Sequence, residues 1–273
     1  MSKKITNLTI NADDFGLHPS IDQAIVELVE LGIVKAVSIL VTSPNLDLES
    51  LNKLSKLDVS LGIHLAFTEM PRARVDLHTP GWTLADGKFL GHWRNLRLKI
   101  IAKSFPQEHI YQEWKTQILL LSKLIPKIDY IDSHQNLHLL PGFIGVAKQL
   151  RSEFGIPKIR IFADKLRYNR IIACGVCLTR RSALKFDWAL PTFGMFESAN
   201  LDVEKFKAIV LDGKSKYESF VVVVHPGKEE ACSLPAGLYV PPYKLDWKKE
   251  YEMLKEAALH NWLKENSILC NKL

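Results

Sequence analysis

The sequence predicts an α/β protein: a closed barrel of mostly parallel strands with helices outside. Three observations carry that expectation. Short apolar runs alternate with helical patterns along most of the chain, the order that builds parallel sheets. No glycine-rich phosphate loop follows the first strand. Asp13-Asp14-Phe15-Gly16 stands where one would be, which argues against a nucleotide-binding fold. Residues able to do chemistry (Asp13 with Asp14, His64, His134 and His225) lie at the ends of strand-like runs. An open doubly wound sheet fits the alternation too, but functional groups at the C-terminal ends of several strands favour a barrel.

The elements follow in order. Residues 7–11 read as a strand. Pro19 opens a helix that runs to Leu31, with Ile21, Ala24, Ile25 and Leu28 on one face and Gly32 ending it. Residues 36–41 form a continuous apolar strand of the parallel-sheet kind, 47–57 a helix and 59–65 a third strand. The rhythm breaks over 69–105, where prolines, glycines, Trp82 and Trp93 mark a lid or binding loop. A long helix then runs from 106 or 107 to about 125, and 128–132 is a strand. Residues 141–154 are helical, and 158–162 and 220–225 are strands. Residues 245–265 form one last helix, with a short strand at 267–270. Residues 164–200 carry no readable pattern.

At 273 residues, 47% hydrophobic and 24% charged, the chain suits one domain over 1–273 with 69–105 inserted as a loop. No apolar run approaches the ~20 residues of a membrane span. The N-terminus lacks a secretory signal, so a cytoplasmic location is expected. Cys174, Cys177, Cys232 and Cys270 read as reduced thiols, because Cys174 and Cys177 have no second pair with which to form a zinc ribbon. The net charge of +6 gathers at Arg94, Arg97, Lys99 and Lys103 and at Lys165, Arg167, Arg170, Arg180, Arg181 and Lys185. Without interleaved aromatics these clusters read as solvated faces, and no nucleic-acid partner is expected.

Two adjacent carboxylates at a strand end repel each other, and a bound cation offsets that repulsion. One Asp and two His with coordination positions left open describe a catalytic divalent site. The second Asp then serves as general base. His225, held by the rigid Pro226-Gly227 turn, is the candidate to protonate a leaving amine.

Asn11-Ala12-Asp13-Asp14-Phe15-Gly16-Leu17, Gly62-Ile63-His64-Leu65, the segment from Ile131 to His138 and His225-Pro226-Gly227 together resemble the YdjC-like carbohydrate deacetylases, over about residues 5–255. That resemblance implies a distorted TIM-like (β/α) barrel and one divalent metal ion, Zn2+ or Mg2+. Asp14, His64 and His134 match the family's metal ligands, Asp13 its catalytic base and His225 its acid. His138, on the second histidine of the motif, is expected to line substrate or to serve as an alternative ligand. Asn136 stands where the family often has a further histidine. The activity implied is removal of an acetyl group from the nitrogen of an N-acetylated sugar such as a chitooligosaccharide. Trp82, Trp93 and Arg160 are further substrate-lining candidates, Arg160 alternatively orienting Asp13. The competing expectations are a metal-dependent hydrolase of another amide or a phosphoester, and a basic nucleic-acid-binding protein with a decayed site. Nothing in the sequence sets the oligomeric state, and a homodimer stays open.

Overall fold

The computed structural model describes residues 5–76, 83–84, 88–89, 107–164, 180–229 and 246–273. Among the described residues, eight parallel strands form one sheet: β1 (Thr6–Phe15), β2 (Ala36–Ile39), β3 (Ser60–Leu65), β4 (Tyr130–Ser133), β5 (Lys158–Phe162), β6 (Ala189–Phe193), β7 (Ser219–Val224) and β8 (Ile268–Cys270). Strands β1 to β7 close on themselves as a seven-stranded barrel, because β1 pairs with β7 on one edge and with β2 on the other. β8 takes the same edge as β2 but lower down. It pairs with Thr6 to Leu8, while β2 pairs only from Asn11 onward. The distortion of the barrel is this parting of β1 and β2, filled by an eighth strand.

The helices are α1 (Pro19–Glu30), α2 (Leu48–Leu54), α3 (Gln107–Leu121), α4 (Phe143–Glu153), α5 (Val203–Lys216), α6 (Trp247–Lys255) and α7 (Ala257–Glu265). α1 buries the face its spacing predicts: Ile21, Ala24, Ile25 and Leu28 are all at most 1% exposed. Asp47 caps α2 by accepting the Glu49 and Ser50 amides. Two expectations change. The single terminal helix is two, parted at Glu256, whose backbone is extended. β6, inside the unreadable 164–200 stretch, completes the barrel between β5 and β7. Pro191 obscures β6 as a strand in the sequence.

One glycine makes room for the interior. A Cβ on Gly62 would fall 2.2 Å from the Tyr130 ring on the neighbouring strand. Glycine on β3 therefore lets a tyrosine on β4 reach across the barrel.

Asp22, in the first turn of α1, is 2% exposed. Its Oδ1 accepts the Gly16 amide at 2.6 Å, and its Oδ2 has no hydrogen-bond partner among the described residues. Burial, with Asp47 nearby, pushes this carboxyl up to about 7 against the lowering effect of the Gly16 amide. A carboxyl whose folded pKa lies above its unfolded value makes the fold less stable as pH rises between the two values, here from about 4 to about 7. Asp22→Asn keeps an acceptor for Gly16 and removes the ionisation. Relative to the parent it should therefore gain on the order of 2–4 kcal/mol between pH 4 and pH 8. Urea unfolding at both pH values checks this, and an unchanged difference between the two proteins would contradict it.

Candidate active site

β1 carries the two aspartates to the C-terminal mouth of the barrel. Successive side chains of a regular strand point to opposite faces, so Asp13 and Asp14 could not both face the mouth from one. The strand is irregular at this point. Ala12 pairs with Val37 and Phe15 with Ile39, so three steps on β1 match two on β2. The extra residue is accommodated with Asp14 in the left-handed region at φ 67°. Gly16, at φ 98°, completes the turn. A Cβ there would crowd Leu46 and the Leu40 carbonyl at 3.1 and 3.2 Å.

Asp13 faces Arg160 on β5. The guanidinium donates from Nη1 to Oδ1 at 2.5 Å and from Nη2 to Oδ2 at 2.8 Å, a bidentate pair, while Asn11 adds a bond to Oδ1 at 2.7 Å. Burial alone would push the Asp13 carboxyl up. Arg160, with His64 and His225, outweighs it and holds the group at about 2. Asp14 faces the two imidazoles instead: its Oδ1 lies 3.4 Å from His64 Nε2 and 3.1 Å from His134 Nδ1. Against the effect of burial, these bonds hold its carboxyl well below the ordinary range.

His64 ends β3 directly beside Asp132 on β4, and its Nδ1 lies 2.7 Å from Asp132 Oδ1. Burial disfavours the imidazolium, but Asp132, Asp13 and Asp14 raise the ring to about 10. His134 follows β4 at a sharp bend in which Gln135 and Asn136 both adopt left-handed backbone. Its Nε2 meets Glu69 Oε2 at 3.0 Å, and the two carboxyls around it lift it to about 9 against burial. His225 follows β7. Its Nε2 is 4.0 Å from Asp13 Oδ2, and its amide donates to Glu250 Oε2 at 2.6 Å. His225 Nδ1 has no hydrogen-bond partner among the described residues.

The structure thus brings Asp13, Asp14, His64, His134 and His225 together. Two residues expected to line substrate have no exposed surface. His138 is fully buried. Its Nε2–H donates to the Arg160 carbonyl at 2.7 Å, its Nδ1 pairs with Ser133 Oγ at 2.7 Å, and burial lowers it to about 4. Both nitrogens being engaged, none is left for a ligand. Arg160 has no exposed surface, and its guanidinium is engaged by Asp13, Asp132 and Ser38. It holds both oxygens of Asp13. Trp82 and Trp93 lie outside the described residues, as do Cys174, Cys177 and Cys232.

Beneath the site lies a polar network that the folded chain assembles from β1, β2 and β4. Asn11 Nδ2 and the Tyr130 hydroxyl both meet Ser38 Oγ, Tyr130 donates to Asn11 Oδ1 at 2.6 Å, and Ser38 donates to Asp132 Oδ2 at 2.6 Å. A signal existed: Asn11 and Asp13, and likewise Tyr130, Asp132 and His134, are spaced by two on strand-like runs, hence on one face. Ser38 is the lone polar residue of β2. Glu69 and Glu250 had no such signal, since only the folded chain brings them near.

The donor set fits a divalent cation. Asp14, His64 and His134 each offer one ligand atom within 4.8 Å of the others. Tetrahedral zinc with bonds of about 2.0–2.1 Å needs donors roughly 3.3 Å apart, and the Asp14 oxygen lies 3.1 and 3.4 Å from its two nitrogens. A second grouping, Asp13 with His64 and Asp132, overlaps it, but there the Arg160 guanidinium already lies against both carboxylates.

Fold and site together describe a parallel β/α barrel with an acid–imidazole cluster at its C-terminal mouth. The chain belongs to the YdjC-like protein family, whose pattern it matches over residues 7–265. It is similar to a carbohydrate deacetylase of Enterococcus faecalis, 33% identical over 166 residues that make up 58% of either chain. A second relative of that description, from Halalkalibacterium halodurans, is matched over 62% of its length, so the chain spans roughly three fifths of these two relatives. Carbohydrate deacetylase 2 of Listeria innocua is 25% identical over 96% of this chain and 95% of its own. Among solved structures, a candidate cellobiose-phosphate cleavage protein from Enterococcus faecalis V583 superimposes with a TM-score of 0.76 at 24% identity, covering 98% of this chain and 97% of that one. At that identity the likeness is one of fold.

Proposed function

We propose that the protein is a metal-dependent hydrolase that removes the acetyl group from the nitrogen of an N-acetylated sugar. The observation that carries the reading is the split of two adjacent carboxylates: Asp14 to a pair of imidazoles, Asp13 to a buried arginine. The descriptions of the relatives as carbohydrate deacetylases support the substrate class. Asp14, His64 and His134 would hold the cation, and mixed carboxylate and imidazole donors suit zinc better than magnesium. When bound, the ion acidifies a water and polarises the acetyl carbonyl.

The chain's own groups do the rest. Asp13 takes the proton from the attacking water. Arg160 and Asn11 hold the carboxylate in the barrel mouth and together occupy Oδ1, which leaves a free lone pair on Oδ2. A carboxylate held low by its arginine is a weak base, so it would act best on a water that the cation had acidified. His225, 4.0 Å from Asp13 on the adjoining strand end, gives a proton to the departing sugar amine and takes in exchange the one Asp13 removed from the water. Glu250 fixes the backbone of that turn through the His225 amide.

Metal analysis of the purified protein and an acetate-release screen over N-acetylglucosamine oligomers test the proposal. Asp13→Asn should keep its metal and lose about 10²–10⁴-fold in turnover. Full turnover in this variant would remove Asp13 from the mechanism. Turnover only on other amides or on phosphoesters would keep the site and change the substrate.

A further inference from the structure

We infer that Glu69 is a positioning residue that turns His134 so that its Nδ1, not its Nε2, faces the cation. The inference rests on the metal reading above. His64 and His134 approach Asp14 in opposite senses. His64 presents Nε2 and anchors Nδ1 on Asp132, whereas His134 presents Nδ1 and anchors Nε2 on Glu69. An imidazole ligates only through the nitrogen without a proton, so the group that accepts the other N–H selects both the tautomer and the ring face.

The two anchors differ in kind. Asp132 belongs to β4 and is itself braced by Ser38 and Arg160. Glu69 lies just past β3, where its backbone sits in the left-handed region at φ 62° and its side chain is 3% exposed. That backbone strains a non-glycine residue, and such strain persists where the surroundings hold it in place. Its neighbours are fixed: the Met70 amide donates to the Thr68 carbonyl at 2.6 Å, and the Phe89 amide to the Met70 carbonyl at 3.2 Å. Opposite it, the left-handed Gln135 and Asn136 bend the chain sharply just after His134. Two strained turns, one on each side, thus meet at the His134–Glu69 contact.

Zinc titration against a chromophoric chelator, using the full chain, tests the inference. Glu69→Ala should bind zinc about 10–100-fold more weakly than the parent, and Glu69→Gln, which still offers an oxygen to the Nε2–H, less weakly than Glu69→Ala. Long-range proton–nitrogen spectra of the zinc-loaded parent should show His134 protonated at Nε2, and the alanine variant should lose that single form. Should Glu69→Ala fail to fold, Glu69→Gln and the spectra decide. Zinc affinity within about twofold of the parent in both variants, with His134→Ala losing the ion, overturns the inference and leaves the metal site standing. A parent that binds no zinc overturns the metal reading and this inference with it.

Discussion

Asp14→Ala or His134→Ala is expected to leave the protein without its ion and to lower acetate release by about a thousandfold or more, the several kcal/mol that a Lewis-acid ion supplies. Asp14 is the shared point of the site, with both imidazoles converging on one of its oxygens. Removing it leaves His64 facing Asp132 and His134 facing Glu69 with no common centre. Full activity in both variants after chelation would end the proposed mechanism. Asp14 has a left-handed backbone, so the alanine variant trades one strained residue for another, and gross unfolding is not expected.

Arg160→Met is expected to cost about 3–5 kcal/mol of stability, the penalty for leaving buried charge without its partner. Arg160 is wholly buried, and its Nη1 alone meets Asp13, Asp132 and Ser38. Turnover should fall as well, because Asp13 loses the fork that aims it. The double variant Asp13→Asn with Arg160→Met removes one of the two stranded carboxylates. It should recover part of the stability and none of the activity. Denaturant unfolding of the parent, both single variants and the double variant measures the coupling. Additive stability losses would mean that the short contacts between Arg160 and Asp13 contribute nothing.

Much of this was legible in the chain. The apolar face of α1, the Gly32 stop and the runs that became β2, β3, β5 and β7 follow from local periodicity and from residues whose backbone preferences are strong. The strand ends named from sequence are the strand ends that meet. β6 was hidden by Pro191, and the break at Glu256 leaves no mark in a pattern that stays amphipathic on both sides.

The sequence by itself determined which residues could act: alternating runs dictate a parallel sheet, and such a sheet brings the residues at its strand ends to one rim. Residue pattern without the family resemblance left open which carboxylate of the adjacent pair does what, because alternation along a regular strand sends neighbours to opposite faces. The irregular pairing of β1 with β2 parts them, turning Asp14 toward the imidazoles while Asp13 meets Arg160. The same holds for Arg160 and His138, whose roles as buried supports depend on partners up to 147 positions away along the chain. A side chain's chemistry is local, but its burial and partners are properties of the closed barrel, and these set whether it touches substrate or holds the group that does.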